Sequence, residues 1–179
     1  MGIPRVMASS LQAGRPGDVA GNAREVMARA AQARSAGAEL LVLPELCLPG
    51  LGCGDLLAQP ALLDACWAEA RDIARQTESM ALVLGLPVKL GDRVYNAALL
   101  AFGGGMQGLV LKQDLSWRER RVFSPGEEAV APASWPCPVR AGQEGLFSLP
   151  GGGRIQLCFT DDKKERAAAD VLALLGASP

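Results

Sequence analysis

The chain has 179 residues, of which 49% are hydrophobic and 21% are charged, a composition that supports one hydrophobic core and hence a single domain over residues 1–179. Its 18 Lys and Arg residues nearly balance its 19 Asp and Glu residues, which gives no electrostatic reason to expect nucleic acid or an anionic membrane as a partner. The chain contains no histidine, so a carboxylate, a lysine or a thiol must do any acid–base work that imidazole does in other enzymes.

The sequence also lacks the signals of membrane and metal proteins. No apolar run approaches the length of a membrane span, and the first residues lack the basic and apolar regions of a signal peptide. We therefore expect a cytoplasmic protein that does not contact a membrane. The cysteines at positions 47, 53, 66, 137 and 158 form no Cys-x-x-Cys pair, which predicts free thiols, with no metal and no other cofactor.

The N-terminal part is predicted to form a β-α-β unit. A first strand is expected over residues 5–11, followed by a helix that begins at Asp18 or Asn22 and ends at Gly37 in the left-handed conformation. The next strand, over residues 39–43, has an aliphatic run without polar alternation, which is typical of a strand that is covered on both faces. A right-handed crossover then makes the two strands parallel.

The rest of the chain is predicted to alternate between a helix, strands and turns. The expected elements are a helix from Leu56 or Ala61 to Gln76, strands at 80–86, 86–89, 94–102 and 107–111, a surface loop over 113–141, a hairpin of 145–149 and 154–157, a short helix at 163–169 and a strand at 170–174. The strands that follow residue 86 are expected to be antiparallel or mixed neighbours of the parallel core. This arrangement belongs to the α/β class.

Three residues with chemically active side chains lie where the chain leaves a predicted strand. Glu45 follows the strand at 39–43, Lys112 follows the strand at 107–111, and Cys158 follows the strand at 154–157. The carboxyl ends of parallel strands are where open α/β sheets place their ligands. Glu45, Lys112 and Cys158 are therefore the candidate catalytic residues.

The segments around these residues resemble a known family. They read Leu43-Pro44-Glu45-Leu46, Leu111-Lys112-Gln113-Asp114-Leu115 and Leu157-Cys158. With these segments the chain resembles the nitrilase superfamily of carbon–nitrogen hydrolases, whose Glu-Lys-Cys triad needs no histidine. Further segments, at residues 50–56, 85–87, 95–98 and 118–126, occur in the order that is found in the glutaminase domains of glutamine-dependent NAD synthetases.

The resemblance implies a nitrilase-like α-β-β-α sandwich with mixed parallel and antiparallel sheets. That fold has two similar halves, and much of the second half has no counterpart in this sequence, so we expect an incomplete, truncated sandwich. The synthetase domain of the full enzyme also has no counterpart. The chain has no Gly-rich ATP-binding loop with a Lys and a Ser or Thr, so it is not expected to make NAD by itself.

The resemblance also implies a function and a role for each site residue. It implies a glutamine amidohydrolase in which Glu45 takes the proton of Cys158, and the thiolate attacks the side-chain amide of glutamine. Lys112 would stabilise the charge that develops on the amide oxygen, after which ammonia leaves and water hydrolyses the thioester. Glu119 corresponds to a further glutamate near the family's site and is expected to bind substrate.

Two departures from the family pattern keep alternatives open. In the family an acidic pair directly follows the cysteine, whereas this chain reads Cys158-Phe159-Thr160-Asp161-Asp162. The loop between the lysine and the second glutamate is shorter than in the family. The alternatives are a catalytically inactive module that acts in oligomer or partner association, and an amidase for another small amide or nitrile. The expected partners are glutamine and either an NAD synthetase domain or further copies of this chain.

Overall fold

The computed structural model describes residues 5–8, 14–141, 145–149, 153–160, 162 and 171–175. In chain order, the strands and longer helices are β1 (Val6–Ala8), α1 (Val19–Ser35), β2 (Leu40–Val42), α2 (Pro60–Gln76), β3 (Ala81–Leu90), β4 (Arg93–Phe102), β5 (Gly105–Leu111), β6 (Val139–Ala141), β7 (Leu146–Ser148), β8 (Arg154–Phe159) and β9 (Val171–Leu175). Short 3-10 helices span Gly54–Ala58, Glu119–Arg121 and Gly126–Glu128. The helix that was predicted at 163–169 lies outside the described residues.

The described strands form two sheets with mixed strand directions. The larger sheet has the order β1-β2-β3-β4-β5-β6, and the smaller sheet has the order β7-β8-β9. β1, β2 and β3 are parallel neighbours, as the predicted β-α-β unit requires. β4 is antiparallel to both β3 and β5, β7 is antiparallel to β8, and β9 is parallel to β8. The expected mixture of parallel and antiparallel pairing is confirmed.

Helix α1 begins and ends at the residues that the sequence indicates. The Asp18 carboxylate accepts a hydrogen bond from the backbone N–H of Gly21 at 3.0 Å and so caps the first turn. Gly37, just past the helix, has a φ of 78°, a conformation that costs glycine little because it has no Cβ. Val26 in this helix is completely buried, which places the apolar face of the helix in the core.

The described elements form three layers. α1 and α2 cover one face of the larger sheet, where Leu82 and Leu84 of β3 join the core that the helices form. Ala81 and Val83 point to the other face, where they pack with Phe147 of β7 and Leu157 of β8. The result is an α-β-β stack. A second helical layer, outside the smaller sheet, is not found among the residues that the structure describes.

The prediction of a surface loop over residues 113–141 is wrong at two points. The last three residues form β6, which is parallel to β5 with Leu109 opposite Val139. The segment also contributes Leu115, Phe123 and Cys137 to the hydrophobic interior. A strand of three residues is too short to show a periodic pattern, and only its pairing with β5 defines it.

Candidate active site

Glu45 lies where the chain turns away from the larger sheet after β2. The hydrogen bonding between β2 and β3 continues as far as Leu43, whose N–H donates to the carbonyl of Val83 at 2.9 Å. Leu46 then has a φ of 51°, a left-handed conformation that costs a non-glycine residue energy and marks a sharp turn. The Glu45 side chain is directed into the interior, and the residue is 4% exposed.

A glycine in β3 lets this turn lie directly on the sheet. A Cβ atom at Gly85 would lie 2.4 Å from the Leu46 nitrogen and 2.6 Å from the Pro44 oxygen. Both are backbone atoms, which cannot rotate away as a flexible side chain would. Gly85 therefore sets the depth at which the backbone of Glu45 packs, because any larger residue would push the turn outwards.

Lys112 directly follows β5 and is held by backbone contacts on both sides. Its N–H donates to the carbonyl of Asn96 at 2.9 Å, and its own carbonyl accepts from the N–H of Gly126 at 2.9 Å. The residue is 2% exposed, and a buried ammonium group needs partners that offset the loss of water. The structure provides two carboxylates.

The Lys112 ammonium donates to both glutamates of the site. Its Nζ lies 3.0 Å from Glu45 Oε1 and 2.8 Å from Glu119 Oε1. We call these three residues the glutamate–lysine cluster. Asn96 adds a third polar contact, because its side-chain Nδ2 donates to the same Oε1 atom of Glu45 at 2.5 Å. The structure thus brings together three of the four residues that the sequence singled out.

Glu119 binds Lys112 from a turn that its own side chain stabilises. The backbone N–H of Ser116 donates to Glu119 Oε2 at 2.8 Å, and the backbone N–H of Glu119 donates to the Ser116 hydroxyl at 3.3 Å. These reciprocal bonds are those of a capping box. Both carboxylate oxygens of Glu119 are therefore bonded within the chain, and its expected contact with substrate stays a prediction.

The two carboxylates of the cluster have pKa values that shift in opposite directions. Burial raises the pKa of Glu45, and the opposing charge and hydrogen bonds of Lys112 and Asn96 do not fully offset that effect. Burial also raises the pKa of Glu119, but the hydrogen bonds from Lys112 and Ser116 outweigh it, so the net shift is downwards. Glu45 is consequently the carboxylate that is suited to take up and release a proton.

Cys158 is buried in β8, and the residue is 8% exposed. Its strand neighbours Leu157 and Phe159 belong to the core between the two sheets. Because side chains alternate along a strand, Cys158 is directed to the opposite face of the smaller sheet. Phe159 of β8 lies beside the cluster, with its ring centre 5.7 Å from Lys112 Nζ. The role of Cys158 as nucleophile stays a prediction.

Asp162, which follows β8, connects the two strands that carry Lys112 and Cys158. Its Oδ1 accepts hydrogen bonds from the backbone N–H groups of Gln113 at 3.0 Å and Asp114 at 2.8 Å. Burial raises the pKa of Asp162 despite these two bonds. Asp162 was given no role from the sequence, because its partners are 48 and 49 positions away.

Asn96 is a second site residue that sequence reasoning did not single out. It appeared only as part of the segment at residues 95–98. One signal was present in the sequence, because Asn96 is a polar residue inside the otherwise aliphatic stretch of β4. A buried amide in a strand interior indicates a specific hydrogen-bond partner, but that partner, Glu45, cannot be identified without the fold.

A cavity lies at the end of β5, close to the sequence position of Lys112. It has a volume of about 510 Å³ and is lined by residues that include Leu111, Gln113 and Arg140. It borders the strand that precedes Lys112, and its described lining includes no residue of the cluster.

Among the described residues, no three or more His, Cys, Asp or Glu side chains converge as a set of metal ligands. Within that same part of the chain, no helix has the length and apolar character needed to span a membrane.

The sequence is similar to known enzymes along most of its length. A family model described as carbon–nitrogen hydrolase matches residues 7–163. The chain is 36% identical over 117 residues to the glutamine-dependent NAD(+) synthetase of Mycobacterium tuberculosis (strain ATCC 25618 / H37Rv), a match that covers 62% of this chain and 17% of the synthetase. It is also 36% identical over 112 residues to the synthetase of Xylella fastidiosa (strain Temecula1 / ATCC 700964), with 60% of this chain and 21% of the relative covered. The chain therefore spans a small part of the length of these relatives.

Solved structures show the same fold. A glutamine-dependent NAD(+) synthetase from Cytophaga hutchinsonii aligns with a TM-score of 0.82 at 24% identity, over 98% of this chain and 30% of that chain. An amidase from Nesterenkonia sp. aligns with a TM-score of 0.64 at 27% identity, over 89% of this chain and 57% of the amidase. A variant of the Nesterenkonia amidase carries the acetamide moiety of fluoroacetamide, covalently added at its active site cysteine, and aligns with a TM-score of 0.65 at 26% identity over 87% of this chain and 56% of that chain.

Proposed function

Because the chain belongs to the carbon–nitrogen hydrolase family, we propose that it is a glutaminase-type amidohydrolase domain that releases ammonia from the side-chain amide of glutamine. The observation that carries the proposal is the glutamate–lysine cluster, in which Lys112 Nζ donates to Glu45 and Glu119. The similarity to glutamine-dependent NAD(+) synthetases supports glutamine as the substrate. The ammonia would pass to an NAD synthetase domain.

The proposed reaction begins with a proton transfer from Cys158 Sγ to the Glu45 carboxylate. The thiolate then attacks the amide carbon, a carbon–sulfur bond forms, and the negative charge on the amide oxygen is stabilised by the Lys112 ammonium. Glu45 returns the proton to the nitrogen, the carbon–nitrogen bond breaks, and ammonia leaves. A water molecule, deprotonated by Glu45, hydrolyses the thioester to give glutamate and the free thiol.

The residues that follow Cys158 favour a second candidate function. The chain reads Cys158-Phe159-Thr160, where the resembled family has an acidic pair directly after the cysteine, and such a change alters the turn that presents the thiol to its base. A nucleophile that is misplaced by about 1 Å can lose about a hundredfold in rate. The second candidate is therefore a catalytically inactive nitrilase-like module that acts through association with copies of itself or with a partner.

Ammonia release from glutamine by the purified chain distinguishes the two candidates. For the hydrolase we expect ammonia release that falls by about a hundredfold or more in E45Q, because general-base catalysis contributes about that much, and that disappears in C158A. The matched control is C137A, since Cys137 is likewise a buried cysteine, but lies in the core of the larger sheet and the helices. C137A should retain the activity.

Two results would refute parts of the proposal. Equal activity in C158A and the native chain would exclude Cys158 as the nucleophile. Absence of ammonia release from glutamine in the correctly folded native chain would favour the inactive module. A parallel assay with short aliphatic amides and nitriles tests the remaining alternative, because activity only on those compounds would identify an amidase for another substrate.

A further inference from the structure

We infer that Asn96 is a positioning residue of this site: its side-chain amide fixes the Glu45 carboxylate through Oε1 and thereby leaves Oε2 as the oxygen that exchanges the proton. The inference concerns the orientation of Glu45, and its catalytic meaning rests on the proposed function. Three observations carry it, namely the contacts of Asn96 with both members of the ion pair, the unsatisfied half of its amide group, and the contrast with another buried asparagine.

Asn96 contacts both Glu45 and Lys112 from the middle of β4. Its side-chain Nδ2 donates to Glu45 Oε1 at 2.5 Å, while its backbone carbonyl accepts the N–H of Lys112 at 2.9 Å. β4 pairs with β3 on one side and β5 on the other, and the pairing places Asn96 opposite Pro87. The residue is completely buried. Asn96 therefore sets the position of the carboxylate relative to the backbone that carries the ammonium group.

The two donors divide the Glu45 carboxylate into unequal oxygens. Asn96 Nδ2 and Lys112 Nζ both donate to Oε1. Oε2 accepts no hydrogen bond from the described residues. A proton adds most readily to the oxygen that does not already accept two hydrogen bonds from the protein. Oε2 is therefore the oxygen of Glu45 that is available to a thiol or a water molecule.

The side-chain oxygen of Asn96 indicates that the main role of this residue is not to stabilise the fold. Its Oδ1 is buried and has no hydrogen-bond partner among the described residues. A buried acceptor without a partner is unfavourable, and an aliphatic side chain of similar shape would avoid that cost. The contact between Nδ2 and Glu45 is the feature that an aliphatic residue could not reproduce.

Asn22 shows what a structural asparagine looks like in the same molecule. It is also buried, but its Oδ1 accepts from the N–H of Arg15 at 2.9 Å, and its Nδ2 donates to the carbonyls of Arg15 at 3.0 Å and Leu48 at 2.9 Å. All three of these hydrogen bonds join the Asn22 side chain to backbone atoms. Asn22 thus provides a matched control, because its replacement removes buried hydrogen bonds that are remote from Glu45.

The test compares N96L, which removes the amide and its unsatisfied oxygen, with N22A. For each protein we would measure thermal unfolding, the titration of the Glu45 carboxyl by 13C NMR with E45Q for assignment, and the pH profile of ammonia release. We expect N96L to keep or raise the melting temperature and to shift the Glu45 titration upwards by about one pH unit, because a hydrogen bond from Nδ2 favours the ionised carboxylate. N22A should lower the melting temperature and leave the Glu45 titration in place.

An unchanged Glu45 titration in N96L would overturn the inference. N96A serves as a second variant if leucine is too large for the site, and unfolding of both variants would also overturn it, because it would show that Asn96 is needed for stability. A shifted titration together with no ammonia release from the native chain would refute the proposed function and leave the inference intact. Ammonia release from the native chain together with an unshifted Glu45 titration in N96L would refute the inference and leave the proposed function intact.

Discussion

Glu45 and Glu119 both bond to Lys112, and their pKa values diverge because Glu45 is the more deeply buried while Glu119 accepts further hydrogen bonds. Lys112 donates to both carboxylates, but a second buried negative charge is not neutralised by one ammonium group. Glu119 is the more exposed of the two and has further hydrogen bonds from Ser116. Glu45 is therefore the group for which the neutral form is favoured by its surroundings.

The stability of E45Q relative to the native protein should depend on pH with a defined sign. The folded-state pKa of Glu45 lies above its ordinary value of 4.5, so this group contributes stability that is fully present below pH 4.5 and is lost as the pH rises through the raised pKa. The free energy of unfolding of the native protein minus that of E45Q should therefore decrease as the pH rises from 4.5 through the raised pKa. Urea unfolding at a series of pH values measures this difference.

E119Q is the control for this prediction because the shift of Glu119 has the opposite sign. The folded-state pKa of Glu119 lies below 4.5, so its contribution is present above pH 4.5 and is lost as the pH falls through the lowered pKa. The free energy of unfolding of the native protein minus that of E119Q should therefore decrease as the pH falls below 4.5. Two variants with the same pH dependence would contradict the assignment of opposite roles to the two glutamates.

At the scale of elements, close backbone contact between β3 and the turn after β2 determines where Glu45 lies. Gly85 of β3 faces the backbone of Pro44, Glu45 and Leu46 at distances that leave no room for a Cβ atom. The left-handed Leu46 continues this turn. The turn therefore needs a glycine in the adjacent strand and holds Leu46 at a positive φ at some cost in energy.

G85A should destabilise the protein by about 1–3 kcal/mol or more, because the added Cβ overpacks backbone atoms that cannot rotate away. The matched control is G105A in β5, where an added Cβ would meet only Gln107 Nε2 at 3.9 Å. Urea unfolding of both variants measures the difference, and G105A should stay within about 1 kcal/mol of the native protein. Similar stabilities of G85A and G105A would show that the turn is not constrained by β3.

Some elements could be predicted from the sequence and others could not. The β-α-β unit of β1, α1 and β2 was predicted because its signals are local: the Asp18 cap, the left-handed Gly37 and the uninterrupted aliphatic run of β2. β6 was not predicted, because three residues exist as a strand only through their pairing with β5. Local signals identify an element well when it has enough residues to show a period.

At the scale of the whole molecule, the smaller sheet is narrow. Its three described strands have the order β7-β8-β9, and β7 and β9 each pair with one described strand only. Its central strand β8 packs on the larger sheet through Leu157 and Phe159. Among the described strands, β7 and β9 are therefore the edges of this sheet, and unpaired strand edges favour association with another chain.

We therefore expect the purified chain to form particles larger than the 18.7 kDa monomer, because copies or a partner would cover these edges. Size-exclusion chromatography with light scattering measures the molar mass over a range of concentrations. A stable, monodisperse monomer at micromolar concentration would contradict this expectation. It would also remove the argument for the inactive module as an association domain.

The sequence by itself determined the family, the α/β class and the two strand ends that carry Glu45 and Lys112, because aliphatic runs, glycines and short motifs are properties of consecutive residues. Only the tertiary structure decided that these side chains lie 3.0 Å apart, that Asn96 shares an oxygen of Glu45 with Lys112, and that the Phe159 ring centre lies 5.7 Å from Lys112 Nζ. Distances and strand faces depend on the register between segments far apart in the chain, and a one-residue change in register reverses every side chain of a strand. Such a register is set by the packing of the whole sheet.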